Sequence, residues 1–415
     1  MDKTKSFDIP KKSVYEAYIA IKQNKGAAGI DGVSIAEFET DLKNNLYKLW
    51  NRMSSGTYFP PAVKAVDIPK KNGGTRTLGI PTVADRIAQM VVKMQFEPKV
   101  DKYFHADSYG YRPGKSAHDA LEITRKRCWK YDWVLEFDIK GLFDNIDHEL
   151  LVKAIEKHTE CKWELLYIKR WLTAPFQKAD GETIKRERGT PQGGVISPIL
   201  ANLFLHYCFD KWMERKFPNN IWCRYADDAL VHCTSEKQAQ YLKDMLEKRF
   251  RECKLEIHPG KTKIVYCKDS NRVEEKENID FTFLGYTFKP RKAKGKEGKV
   301  FTSFLPAISQ KAKIKIFEEI RDWRLLWMTQ KSIEQIAEDI NPVIRGWLNY
   351  YGRYGKKEIA RVLANANYHL MLWVQRKFKR CKHSPRKAYQ FLQRIHDDNP
   401  KLFTHWEVGI SPSTG

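Results

Sequence analysis

The sequence predicts an α+β protein whose C-terminal part forms a separate helical body, and three observations carry that prediction. Two apolar runs rich in β-formers, WVLEFDI at Trp133 to Ile139 and IWCRYADDALVHC at Ile221 to Cys233, read as strands that carry acids at their ends. Around them apolar residues recur at helical spacing behind capping signals, such as Ser34 with Glu37 and Ser235 with Gln238. From Gln310 onward the pattern is helical alone, over 311–328, 332–351 (broken near Asn341-Pro342) and 356–381.

Composition bounds the partners. A chain of 415 residues with 42% hydrophobic content is long enough for two or three globular domains. Its 74 Lys and Arg against 51 Asp and Glu leave a formal charge of +23, which calls for a polyanion bound through phosphate contacts and released by salt. Neither end carries the basic amphipathic helix of a membrane-surface protein. The eight cysteines form no C-x₂-C pair and several fall in apolar runs, as in a reduced cytoplasmic protein. The longest uncharged run, Gly189 to Phe209, contains Gln192, two glycines, Pro198 and Asn202; Ser197-Pro198 opens a buried helix there, not a membrane span.

In chain order, Ser13 with Glu16 predicts a capped helix through Lys22, with Gly26 beyond its end. Ser34 and Glu37 open a second helix with Phe38, Leu42, Leu46 and Leu49 on one face. The Gly-rich stretch between them is too irregular for a phosphate cradle. Residues 60–120 read as short strands and basic loops, with PKKNGGTR at Pro69 to Arg76 as a flexible cationic hairpin tip. Asp147 caps a helix that turns Leu150, Leu151, Ala154 and Ile155 inward, leaving His148 on the surface. The Ser235 helix runs to about Cys253, and KLEIHPGKTKIV returns as a strand with Lys261 and Lys263 after a Pro-Gly turn. FTFLGYTF, Phe281 to Phe288, reads as a buried strand pair with Gly285 at a close approach, followed by a mobile basic loop from Lys289 to Lys299. In residues 301–415, 20 Lys and Arg face 10 Asp and Glu, with Trp323, Trp327, Trp347, Trp373 and Tyr350 among them; the rings suit a core and the cations an outer face.

The acids suggest chemistry. Alternation puts Asp138 and Glu136 on one face of the first strand, while Asp227 and Asp228 stand where the second run must turn back. If those strands are neighbours in one sheet, three oxygen ligands meet. Such a site suits Mg²⁺, since no nearby His or Cys offers zinc its ligands. Two such ions, about 3.5–4 Å apart, serve an in-line displacement at phosphorus. The chemistry implied is nucleotidyl transfer.

YADD at Tyr225, FDIKGLFDNIDHELL at Phe137 and GTPQGGVISPILANLFL at Gly189 resemble the polymerase motifs of reverse transcriptases, specifically those encoded by bacterial group II introns. IPKKNGGTRTLGIPTVADRIAQ, SYGYRPGKSAHDAL, FTFLGYTF and GWLNYYGRYG match the same family in the same order, so the resemblance spans nearly the whole chain. It implies a right-hand polymerase, fingers and palm with an antiparallel palm sheet plus a helical thumb. It also implies a metal set of Asp138, Asp227 and Asp228, with Ile139 beside them. By the same resemblance, Lys70 and Arg76 clamp the incoming triphosphate, and Phe143 is an aromatic wall that excludes a 2′-hydroxyl. Gln192 stands beside the nucleotide, and Lys261 brings positive charge to the leaving pyrophosphate. His258 stands where the family often has Asn. The implied partners are an RNA template, a DNA or RNA primer, deoxynucleoside triphosphates and a group II intron RNA whose splicing the protein assists.

The implied domains are an N-terminal extension at 1–59, fingers and palm at 60–300, a thumb and maturase domain at 301–385 and a short tail at 386–415. No nuclease motif is visible in that tail, where many relatives carry a nuclease module. Two other readings fit the same residues: an RNA-binding maturase with no required polymerase activity, and a reverse transcriptase adopted by its host for repair or defence.

Overall fold

The computed structural model describes residues 6–69, 75–295 and 297–412. By its contacts the chain divides into two compact units, Met1–Ala120 with Val134–Ile264, and Leu121–Trp133 with Val265–Gly415.

The first unit is a mixed α and β body built around a four-stranded sheet. Its strand order is Trp222–Tyr225, Asp228–Cys233, Trp133–Asp138, Lys263–Tyr266. The two acid-bearing runs are therefore neighbours, as the sequence requires of a shared site. Phe137, Phe209 and Phe250 pack at ring separations of 5.5 to 6.3 Å and are fully buried. They fasten the sheet to the turn His206–Asp210, which continues the helix Ser197–Leu205, and to the helix Glu236–Glu252, which Ser235 caps at the Gln238 amide.

A second sheet pairs Val63–Pro69 with Thr75–Ile80 in register from Lys64 opposite Ile80 to Pro69 opposite Thr75. Much of 60–120, expected as strands and loops, is helix: Val83–Asp101 begins at Thr82, whose hydroxyl accepts from the Asp85 amide. The first helix starts at Lys11 with Pro10 as its cap residue, three residues before the expected cap at Ser13, because the fixed proline φ suits a helix start. The Ser34–Glu37 box forms both its bonds, yet its helix stops at Glu39 and a second resumes at Leu42. The run from Ser197 is helical and buried, and Ser197 serves as its first residue, bonded at Oγ to Thr190 at 2.7 Å.

In the second unit, Phe281–Phe283, Tyr286–Lys294 and Val300–Ile308 form an antiparallel sheet. Leu284 and Gly285 both adopt positive φ between the first two strands, the combination a tight hairpin turn needs. A Cβ on Gly285 would lie 3.1 Å from the Tyr351 hydroxyl, which is the expected close approach. Lys289 to Lys294 is strand, not loop; pairing to Val300–Ile308 overrides its basic composition. Three long helices, Gln310–Asp322, Ile333–Tyr351 and Lys356–Lys377, pack on one another, and Pro342 lies within the second without breaking it. Ile320, Ile336, Leu363, Leu370, Trp373 and Trp406 are fully or almost fully buried in their core. Each contributes about 1.5–3 kcal/mol by leaving water. The stretch read as a tail from 386 carries most of the helix Pro385–Asp398 and buries Leu392, Phe403 and Trp406 in that core.

Candidate active site

The hairpin at the sheet's end is two residues long. Tyr225 pairs with Asp228, so Ala226 and Asp227 form the turn. Ala226 holds φ at +57°, where a type II′ turn prefers glycine, so a strained residue directly precedes the first acid.

The strain is held from below by Arg224. Its side chain is 1% exposed and forms a bidentate pair with the fully buried Asp210, Nε to Oδ1 at 2.8 Å and Nη2 to Oδ2 at 2.6 Å. Nη1 also donates to Asn202 Oδ1 at 3.0 Å and to the Ala226 carbonyl at 3.1 Å, and Nη2 to Ser108 Oγ at 2.9 Å. These five contacts use the five N–H donors of a guanidinium. Asp210 reaches the arginine because His206–Asp210 is a π-helical turn, a widening that recurs at functional sites. From the other side, Ser108 bridges to Arg224, and Gly110 leaves so little room that a Cβ there would sit 2.4 Å from the Ala226 nitrogen.

Across from the turn, Asp138 ends its strand with 17% of its side chain exposed and accepts from Lys261 Nζ at 2.7 Å. The short 3₁₀ turn Pro259–Lys261 aims that lysine; the His258 amide bonds the Asp138 carbonyl at 2.8 Å and so anchors the turn. Ile139, which has only its main-chain carbonyl to offer a metal, is bridged to Ile257. The bond from the Lys140 amide to the Glu256 carbonyl fixes the backbone on its other side.

The three carboxylates interact. Burial raises the Asp227 carboxyl, the negative charge of Asp138 adds to the rise, and Arg76 and Lys261 oppose it. Asp228 opens to solvent, yet it is crowded by protein atoms that shed water from it; with Asp227 and Asp138 repelling, its carboxyl is pushed up to about 7. Negative charge is therefore concentrated beyond what Lys261 and Arg76 neutralise, and every donor is a carboxylate oxygen or a carbonyl. Among the described residues no three acidic, imidazole or thiol side chains converge into a ready-made metal cluster; Asp138 is instead held by the Lys261 ammonium. That ammonium stands where a cation is wanted, and the donor chemistry fits a hard divalent ion.

Of the remaining expected residues, Arg76 lies close enough to Asp227 for its charge to act on that carboxyl, Gln192 connects to Arg76, and Phe143 joins the same group through Asp144. Arg76 Nε donates to Gln192 Oε1, and Gln192 Nε2 donates to the Asp144 carboxylate at 3.0 and 3.2 Å. The Gly79 amide bonds the Gln192 carbonyl at 2.7 Å, and a Cβ on Gly193 would meet the Gly79 carbonyl at 2.4 Å, so the glycine lets this loop lie on the Thr75–Ile80 strand. Phe143 is largely buried and lines a cavity of about 310 Å³ with Asp144, Arg188 and Thr190. Lys70 lies outside the described residues. Asp147 caps its helix at the Leu150 amide as expected, but His148 is half-buried and bonded to the Gly189 carbonyl at 2.7 Å.

Sequence reasoning missed Arg224, Asp210, Gly110 and Asp144. A lone arginine inside an otherwise apolar strand was the available signal for the first; nothing local announces its partner. Tyr111, at φ +56° beside Gly110, feels the charge of Asp227, a contact hidden in a motif quoted above without a role.

Residues 68–288 match the reverse transcriptase (RNA-dependent DNA polymerase) family, and residues 314–392 match the group II intron maturase-specific domain. Protein YkfC of Escherichia coli K12 is 30% identical over 321 residues, 68% of this chain and 81% of that protein. The group II intron-encoded protein LtrA of Lactococcus lactis is 33% identical over 255 residues, 57% of this chain but only 42% of LtrA.

Proposed function

The chain belongs to the reverse transcriptase family, and on that premise we propose that it is a group II intron-type RNA-directed DNA polymerase that also assists the splicing of an intron RNA. The observation that carries the polymerase reading is the mutual repulsion of Asp138, Asp227 and Asp228 at adjoining strand ends, with a lysine seated on one of them. Uncompensated acids in a cleft are costly unless a cation answers them.

In this reading the substrates are an RNA template, a DNA or RNA primer and deoxynucleoside triphosphates. Asp138, Asp227, Asp228 and the Ile139 carbonyl would hold Mg²⁺, which would supply Lewis-acid activation of the primer's 3′-hydroxyl and positive charge for the departing pyrophosphate. Lys261 yields Asp138 Oδ2 and turns to the triphosphate, where its charge meets the leaving oxygens. Arg76 and Lys70 clamp the phosphates, Arg76 through the planar fork that meets two oxygens at once. Gln192, fixed between Arg76 and Asp144, lies beside the nucleotide, and Phe143 forms the wall under its sugar. The second unit acts as thumb and maturase domain, gripping duplex through phosphates and A-form shape. Seven of the eight cysteines are buried and all are free, as suits a cytoplasmic protein, and no helix among the described residues is long and apolar enough to cross a membrane.

The test is Asp227→Ala. Primer extension on an RNA template is expected to vanish while RNA binding changes less than about threefold, since the substitution removes a metal ligand and no phosphate contact. Undiminished extension would end the polymerase assignment, and unaided splicing equal to assisted splicing would end the maturase part.

A further inference from the structure

The second unit contains a cavity of about 790 Å³ where the start of the helix Lys356–Lys377 meets the strands Tyr286–Lys294 and Val300–Ile308. Six of its lining side chains are exposed cations: Lys289 and Lys292 from the strand, and Arg353, Lys356, Lys357 and Arg361 from the helix start. Two more stand deeper. Arg291 donates to the Leu305 carbonyl at 3.2 Å, and Arg125 lies over Trp129 at 4.9 Å and Tyr354 at 5.2 Å, with its Nε buried and without a partner.

One acid, Glu358, lines the same space, and its charge is already taken by Lys313 at 2.5 Å and Arg361 at 3.4 Å. Glu122, behind the cavity, answers Arg125 at 2.9 Å, so eight cations face two acids; the surplus repels itself, and the arrangement costs stability until a polyanion enters. The backbone has been shaped for it. Gly355, at φ +67°, has its missing Cβ only 2.6 Å from that of Ala307, a contact that lets the helix begin against the strand. No side chain caps that helix, and with the Glu358 amide held by the Gly355 carbonyl at 2.8 Å, the Lys356 and Lys357 amides are left to an anion.

We propose that this cavity is a cradle for several consecutive phosphates of a nucleic-acid backbone. A single phosphate needs two or three cationic partners, whereas eight spread over this volume match a run of them. The apolar lining is Pro290, Leu305, Pro306, Ala307 and Tyr354; the Tyr354 ring is buried, with Arg125 at 5.2 Å and Arg353 at 5.8 Å over it, so the cavity presents cations to phosphates and not a free ring to a base. The cradle rests on the nucleic-acid reading given above, and two sources supply its chemistry: the template–primer duplex being copied, or a folded RNA held by the maturase domain.

The test is the full chain with Lys292→Gln, Lys356→Gln and Lys357→Gln combined, beside a control with Lys237→Gln, Lys243→Gln and Lys248→Gln on the helix Glu236–Glu252, which removes the same charge elsewhere. The probes are a fluorescent RNA–DNA template–primer duplex and a fluorescent, folded group II intron transcript. The cradle variant should weaken at least one probe about tenfold at about 0.1 M salt, and lower the slope of log K against log salt by about 2–3, as three lost phosphate contacts require. The control should shift neither beyond about threefold. Loss with the duplex alone assigns the cradle to template–primer, and loss with the transcript alone assigns it to the folded RNA. Equal behaviour of the two triple variants on both probes overturns the proposal. The single Lys357→Gln variant, expected to lower the slope by about 1, guards against misfolding of the triple. Asp227→Ala, run in parallel, fails only in extension, so a wrong polymerase reading and a wrong cradle give different patterns.

Discussion

Arg224 offers the sharpest test of how the Ala226–Asp227 turn is held. Arg224→Met removes a guanidinium whose five donors are all engaged and strands Asp210, which is fully buried. His206, 3.9 Å from Asp210, cannot replace the charge, because burial holds its imidazole down at about 4. Removing one partner of a buried pair costs about 3–5 kcal/mol. Total stabilities run to about 5–15 kcal/mol, so urea unfolding should show the loss plainly. The same substitution takes away the donor to the Ala226 carbonyl and frees the strained turn that presents Asp227. A displacement of about 1 Å costs on the order of 10²-fold in rate, so extension should fall by about 10- to 100-fold.

Stability and positioning separate in the double variant Arg224→Met with Asp210→Leu. Replacing both charges by apolar groups relieves the stranded carboxylate, and such replacements are often neutral or stabilising. Unfolding free energy should therefore return most of the way, while single-turnover extension stays low because the Ala226 carbonyl still lacks its donor. Recovery of the wild-type rate by the double variant would refute the positioning role. A loss under about 1 kcal/mol in the single variant would refute the buried-charge argument.

Gly110→Ala forces a methyl to within 2.4 Å of the Ala226 backbone nitrogen, so the turn or the Ser108–Gly110 segment must move. Extension should fall at least about tenfold for a stability cost of about 1–3 kcal/mol, measured by single-turnover kinetics and urea unfolding, and a wild-type rate contradicts the contact. His405 tests pH dependence in the other unit: it is fully buried, bonded at Nε2 to Asn367 Oδ1 at 2.7 Å, and burial holds its imidazole down at about 3 against an ordinary 6.5. The unfolded chain therefore takes the proton first, so stability is whole above about pH 6.5 and is lost as pH falls toward 3. Between pH 7 and 5 wild type should lose about 2 kcal/mol more than His405→Gln, and parallel pH profiles in urea unfolding would contradict this.

What the sequence reveals and what it hides follow from the range of the forces involved. Alternation along Trp133–Asp138 and the acids at Asp227 and Asp228 are local, and local patterning sufficed to put each on a strand end; that the two strands adjoin is decided by the fold. The caps at Ser34, Asp147 and Ser235 are local too, and all three form. Errors arose where partners distant in sequence decided the outcome. Lys289 to Lys294 reads as loop by composition, yet pairs as strand because Val300–Ile308 supplies its ladder. The helix Val83–Asp101, by contrast, holds more helix formers than strand formers, and Val83, Ile87 and Val91 recur every four residues on its buried face; reading it as strands and loops missed that period. The case that matters for function is Arg224. Its partners lie on a π-helical turn, a buried helix and the Ser108–Gly110 segment, and only the folded chain assembles them. The acids that suggest nucleotidyl transfer were thus legible one by one, whereas the scaffold that aims them exists only in three dimensions. Substitutions that spare every acid but disturb this scaffold should therefore slow extension by about 10- to 100-fold, where removing Asp227 abolishes it.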